Sequence, residues 1–212
     1  MPCWSVPAHS SLWHRLLMPE LACAAILLAA GASTRLGQAK QLIVMDNESL
    51  LARTVRMALE AGCAPVIVVT GFEQEKMQAA LAGLPVKFVH TPDWSEGMGS
   101  SLRCGVRALD PGTHDALLLV CDQLALSMEF LRELLRVHLL RGKPITAAHY
   151  DGRLGVPAIF SAAFFPRLCV VKGDRGARGV LESHAKEVTA MDFPAGAIDL
   201  DTPEQLEHLR NT

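Results

Sequence analysis

Five residues in one short stretch have the chemistry to hold an anion. Residues 26–40 read ILLAAGASTRLGQAK, an apolar run followed by Gly31, Ser33, Arg35, Gly37 and Lys40. Glycines let a backbone approach a ligand with no Cβ in the way, and successive N–H groups can then point at oxygens. An arginine grips phosphate bidentately, while a lysine acts as a point charge. The stretch reads either as a phosphate cradle or as a tight strand-to-helix turn that carries surface charge. It is not a Walker A loop, since G-K-[ST] is missing, nor a G-x-G-x-x-G dinucleotide fingerprint.

Asp122 is the acidic counterpart. It ends the apolar run ALLLVCD, on the same strand-end face as Lys40 and Arg35. That placement suits Mg2+ beside a triphosphate, because Mg2+ takes one or two carboxylates plus phosphate oxygens and waters. The plainer reading is an aspartate that shapes a turn. Asp199 and Asp201 flank Leu200, so as an extended pair they face one side. One of them caps a helix beginning at Pro203, and Asp201 is the candidate second metal contact.

Two further glycine loops carry candidates. In EGMGSSL, Gly97 and Gly99 bracket Met98 just ahead of a helix N-terminus, a place for a base, ribose or phosphate. A serine-capped helix start would explain Ser100 or Ser101 alone. In KGDRGAR, Asp174 is a turn former or an acceptor-placing group. Arg175 and Arg178 suit an anionic second substrate or a solvated basic turn.

The elements that must position these groups alternate. Strands are expected at 24–30, 65–70, 86–90, 116–121 and 145–149, with a shorter one at 157–160 and an edge strand at 188–191. Helices are expected at 49–61, 73–81, 100–109, 128–141, 161–168, 177–184 and 203–210, with Leu131, Leu134, Leu135 and Leu139 as the apolar stripe of the fourth. Alternation of this kind implies one α/β domain, a mainly parallel sheet covered on both faces. In such sheets ligands sit outside the carboxyl ends of the strands, where residues 31–40 and Asp122 fall.

Composition agrees. The chain has 212 residues, half of them apolar and 5% aromatic, so its core is Leu, Ala and Val. A net charge of -2 gives no global attraction to nucleic acid or to a membrane surface, and any anionic ligand needs a local cluster. The six cysteines (Cys3, Cys23, Cys63, Cys104, Cys121, Cys169) form no C-x-x-C pair, and the eight histidines show no paired ligand spacing. Reduced thiols and a cytoplasmic location are expected. The apolar run 21–32 after Arg15 has the look of a secretory signal, but Glu20 adjoins it and it flows straight into the loop. It is also too short to span a bilayer. Residues 1–19 are expected to be a poorly ordered extension, with Met18 an alternative start, and residues 20–212 a single domain.

The order of residues carries a resemblance. LAAGASTRLGQAK resembles the L-A-[AG]-G-x-S-x-R-M-G-x-x-K segment of the MobA-like nucleotidyltransferases, most of all their molybdenum cofactor cytidylyltransferase branch. TPDWSEGMGSSLRCGV is similar to that branch's N-x-x-W-x-x-G-M-x-x-S-L-x-x-G, and VCDQ to its strand-end D-Q-P. GVPAIF, KGDRGAR and DLDTPEQL resemble G-H-P-V-L-F, G-D-x-G-A-R and D-[IL]-D-T-P-E-D. The resemblance implies a three-layer αβα Rossmann-like fold. It also implies transfer of CMP from CTP to the phosphate of molybdopterin, with Mg2+ as cofactor and pyrophosphate as the second product.

On this resemblance Lys40, Arg35 and Asp122 are catalytic, and Asp122 and Asp201 hold metal. Leu28, Ala29, Ala30, Gly31, Ser33, Arg35, Gly37, Lys40, Gly97, Met98, Gly99 and Ser101 bind nucleotide, while Asp174, Arg175 and Arg178 bind the acceptor. Ala30 marks the cytidylyl branch, since the guanylyl branch has a second glycine there. Four positions depart from the pattern. Leu36 replaces methionine, Thr91 asparagine, Val156 the histidine of G-H-P, and Leu124 the proline after Asp122-Gln123, which loosens that turn. Two alternative roles stand beside this one, the first carried by some similar sequences. One is NAD(P)H-dependent reduction of a heterocycle. The other is cofactor delivery to a molybdenum hydroxylase apoenzyme, which would then be a partner.

Overall fold

The segment CAAILL has no charged side chain and is buried along nearly its whole length, as suits a strand paired on both sides. It is β1 (Cys23–Leu28) at the centre of the sheet. The computed structural model describes residues 23–198 together with 200, 205 and 207. The expected extension at 1–19 and most of the final helix lie outside these. After β1 come a small hairpin, β2 (Val44–Met45) and β3 (Glu48–Ser49), then α1 (Leu50–Glu60), β4 (Val66–Thr70), α2 (Gln74–Ala80) and β5 (Val86–His90). The chain continues through α3 (Met98–Arg107), β6 (Asp115–Leu119), α4 (Met128–Arg141), β7 (Ile145–Tyr150) and β8 (Arg153–Ser161). It closes with α5 (Phe165–Leu168), α6 (Arg178–Ser183) and β9 (Val188–Asp192).

Seven strands pair in the order β5-β4-β1-β6-β8-β7-β9. Six run one way and β8 runs against its neighbours β6 and β7. One core, on the face of α1, α2 and α4, is built on Leu27, Val55, Met77, Leu117 and Leu134. The other, on the face of α3, α5 and α6, is built on Ile26, Val69, Leu102, Phe160 and Leu181. The expected three-layer, mainly parallel α/β fold is therefore the observed one.

The helices begin where local chemistry says they should. Ser49 Oγ accepts from the Ala52 N–H at 3.1 Å, and Ser127 Oγ from the Phe130 N–H at 3.2 Å. Each cap stabilises its helix by about 1 kcal/mol. Gly142, with φ +64°, ends α4 in the left-handed conformation glycine favours.

Two expectations need correction, and one hairpin was not expected. The last place of the α4 stripe, seven residues after Leu131, is filled by His138 and not by Leu139, which is 46% exposed. His138 is 7% exposed because its ring nitrogens bond Thr146 Oγ1 at 3.0 Å and Asp115 Oδ1 at 3.1 Å. The short strand at 157–160 is the end of the nine-residue β8, which pairs with β7 through the two-residue turn Asp151-Gly152. The β2–β3 hairpin turns likewise on Asp46 and Asn47, both at positive φ.

Candidate active site

Strand order reverses at β1. The chain moves from β1 out to β4 and β5, then returns to place β6 on the other side. A crevice opens at such a point beyond the strand ends. Here it is a cleft of about 500 Å³ whose lining includes Ala30 to Thr34, Lys40, Gln41, Trp94, Met98, Asp122 and Asp174.

The loop after β1 forms its floor. Ser33 and Gly37 sit at φ +50° and +72°, turning the chain around a single 3-10 turn at Thr34–Leu36. The Lys40 N–H donates to Ser33 Oγ at 3.3 Å and closes the loop. Among the described residues nothing stands within 4 Å of the place a Cβ would take on Gly31, so the loop is open to a ligand there.

Lys40 and Asp122 meet across the cleft, Lys40 Nζ donating to Asp122 Oδ2. Asp122 Oδ1 is buried and has no partner among the described residues. Behind it, Gln123 Nε2 donates to Val156 O at 2.9 Å and to Gly196 O at 3.2 Å. The turn that Leu124 was expected to loosen is braced: Leu126 N bonds Gln123 O, and Arg53 donates to the carbonyls of Leu124 at 2.9 Å and Leu126 at 3.1 Å. The Val156 carbonyl takes part whatever side chain stands there, so loss of the histidine spares this support.

The Cys121 thiol beside Asp122 is buried and held in its neutral form. Burial, and then the Asp122 charge, push its pKa up to about 12.

Of the expected nucleotide-binding residues, Leu28, Ala30, Gly31, Ser33, Lys40, Gly97, Met98 and Ser101 line the cleft, as do Asp122 and Asp174. Ala29 is buried below it. Gly37 serves the turn. The Arg35 side chain and Asp201 lie outside the described residues.

The space at Gly97 and Gly99, read as room for ligand, is filled by protein. A Cβ on Gly97 would lie 2.0 Å from Asp174 Oδ1, and one on Gly99 would lie 2.9 Å from Gly173 O. The Gly99 N–H donates to that carbonyl at 2.8 Å. Gly97 is the N-cap of α3, so Ser100 and Ser101 fall inside its first turn and cap nothing. Arg175 and Arg178 are not in the cleft; both bond Glu182 on α6. Trp94 packs against Phe72, ring centres 5.8 Å apart, and lines one wall.

The reading above passed over Gln41, Ser95, Val120 and Leu200, which also line the cleft. Gln41 directly follows Lys40, the one signal the sequence holds for it.

A model of the MobA-like NTP transferase domain matches residues 25–188. The chain belongs to this family. It is 33% identical to nicotine blue oxidoreductase of Paenarthrobacter nicotinovorans over 195 residues, 87% of this chain and 94% of that protein. It is 27% identical to the molybdenum cofactor cytidylyltransferase of Escherichia coli K12 over 137 residues, 64% of this chain and 68% of that one. The solved structure of Rv0371c from Mycobacterium tuberculosis H37Rv is 26% identical, with a TM-score of 0.78 over 92% of this chain and all of that one. That protein has also been solved in complex with manganese. This MobA-like domain thus has the nucleotidyltransferase fold, and no helix among its described residues is long and apolar enough to cross a membrane.

Proposed function

We propose that this chain is a cytidylyltransferase that moves CMP from CTP to the terminal phosphate of molybdopterin or a related phosphorylated acceptor. The observation that carries the reading is Asp122, with one carboxylate oxygen bonded to Lys40 and the other buried without a partner among the described residues, beside a glycine loop. Such an oxygen suits a divalent cation. Mg2+ would be held by Asp122, with Asp201 the second expected contact, and the manganese complex of the mycobacterial relative supports a divalent ion on this fold. When bound, the ion supplies charge neutralisation at the phosphates.

The remaining chemistry is positional. An oxygen of the acceptor phosphate attacks the α-phosphorus of CTP, the bond to the β-phosphate oxygen breaks, and pyrophosphate leaves. No side chain becomes covalent, since phosphoryl transfer depends mainly on alignment and charge. Lys40 offsets charge at the α-phosphate. The loop N–H groups and Arg35 hold the departing pyrophosphate. Asp174 bears on the acceptor from the opposite wall, with Arg175 and Arg178 beyond it.

A second reading, NAD(P)H-dependent reduction of a heterocycle, is favoured by the oxidoreductase relative that spans most of both chains. Thermal melts with CTP, GTP, ATP and NADPH, each with and without Mg2+, separate the two. A ligand at about a hundred times its Kd adds roughly 2.7 kcal/mol, a shift of several degrees. A Mg2+-dependent shift with CTP and little with GTP is the expected result. A shift with NADPH alone would favour the reductase. Delivery of cofactor to a molybdenum hydroxylase would instead show as partner binding that survives Asp122→Ala.

A further inference from the structure

Gln41 is 3% exposed, and its amide nitrogen is tied to two carbonyls of one loop, Ala29 O at 3.0 Å and Gly31 O at 2.8 Å. Between them the Ala30 carbonyl accepts from the Phe72 N–H at 3.1 Å. Three successive carbonyls are thereby turned into protein. The only cis peptides among the described residues are Ala64-Pro65 and Val156-Pro157, so the peptides of this loop are trans. In a trans peptide the N–H points opposite to the preceding carbonyl. Fixing the carbonyls of Ala29, Ala30 and Gly31 therefore fixes the N–H groups of Ala30, Gly31 and Ala32 in the other direction.

None of those three N–H groups has an acceptor among the described residues, and all three residues line the cleft. Consecutive unpaired N–H groups form an anion-binding concavity. The amide of Gln41 has one usable orientation here, because only its NH2 end can face two carbonyls. Gln41 Oε1 is left without a partner among the described residues, so the side chain is held by this clamp.

We infer that Gln41 is a positioning residue that aims the Ala30, Gly31 and Ala32 N–H groups at the phosphates of the bound nucleotide. The inference rests on the nucleotide-binding reading above. Inorganic tripolyphosphate, which has no base or ribose, is the probe. It is titrated calorimetrically into the full chain and into Gln41→Leu, which keeps the shape and removes both donors, well below the variant's melting temperature.

Affinity is expected to fall about tenfold to a hundredfold, the scale of disturbed hydrogen bonds to a charged group. A purely structural glutamine would lower the melting temperature and leave the affinity unchanged, and that result would overturn the inference alone. A wild-type chain that binds neither tripolyphosphate nor Mg2+-CTP would defeat the nucleotide reading and this inference together. If Gln41→Leu does not fold, nitrogen-15 NMR of the unaltered chain decides. Tripolyphosphate should then shift the Ala30, Gly31 and Ala32 amide signals, with the Gln41 side-chain protons slow to exchange throughout. Unmoved backbone signals, or freely exchanging side-chain protons, would contradict it.

Discussion

Lys40 and Asp122, 82 residues apart in the chain, bond to one another in the lining of the cleft, where strand order reverses. Each is largely buried, 21% and 15% exposed at the side chain, so the pair is poorly screened by solvent. If this is the catalytic centre, Lys40→Ala and Asp122→Ala each lower turnover by at least about a hundredfold, the scale of losing a preorganised electrostatic contact. The double variant should lose far less than the product of the two, because the residues act as a unit. Steady-state kinetics on the four proteins checks this.

The wall opposite the phosphate loop depends on a glycine. Gly97 has φ +106°, and a Cβ there would collide with Asp174. Gly97→Ala should therefore destabilise the fold by about 1–3 kcal/mol through backbone strain and displacement of Asp174. Adding Asp174→Ala removes the collision with the carboxylate but not the strain or the 3.0 Å approach to Gly173 C. Urea unfolding of the double variant is expected to show less loss than the sum of the single changes.

Gly105 is a packing glycine in the same helix. A Cβ on it would lie 2.5 Å from Ile26 Cγ2 and 2.9 Å from Val69 Cγ2, so α3 rests directly on β1 and β4. Gly105→Ala gains helix propensity of up to about 1 kcal/mol but forces the helix off the sheet. A net loss of about 1–2 kcal/mol is expected in denaturant unfolding. Since α3 carries Met98 and Ser101 into the cleft, nucleotide affinity should weaken with it.

Cys121 makes a prediction about alkaline pH. Its thiol is held near 12 in the fold by burial and by the Asp122 charge, against about 8.5 in an unfolded chain. A raised folded pKa gives stability that is fully present below the unfolded value and is lost as pH rises toward the folded one. Between about pH 8.5 and 12 stability should fall by up to about 1.4 kcal/mol per pH unit for this group. Cys23, a free thiol whose pKa is raised by its hydrogen bond with Cys63 and by burial, adds to the same slope. Melting temperatures across this range should decline less steeply in Cys121→Ala, which should also retain activity.

Much of this architecture is legible in the sequence because each signal is local. The all-apolar β1 run and the serines ahead of α1 and α4 mark elements without reference to distant residues. The two hairpins were equally local, yet Asp151-Gly152 and Asp46-Asn47 went unread beside the stronger alternation of strands and helices. Arg178 and Glu182 stand four apart, a helix-face pair that the anion-site reading overlooked. The filling of Gly97 and Gly99 by the loop at Gly173 and Asp174 is different in kind. It depends on a contact between segments about 75 residues apart, which periodicity cannot show. Gln41 is hidden for a similar reason, since its place depends on which way three carbonyls turn.

The most direct test of the account is product formation by the purified chain. Molybdopterin, Mg2+ and CTP are incubated with wild-type protein and with Asp122→Ala, and both pyrophosphate and the cytosine dinucleotide are measured. The account predicts that the wild type releases one pyrophosphate for each dinucleotide formed, prefers CTP to GTP, and that the variant is nearly inactive. Failure to release pyrophosphate with either nucleotide, together with oxidation of NADPH by a heterocyclic substrate, would contradict it.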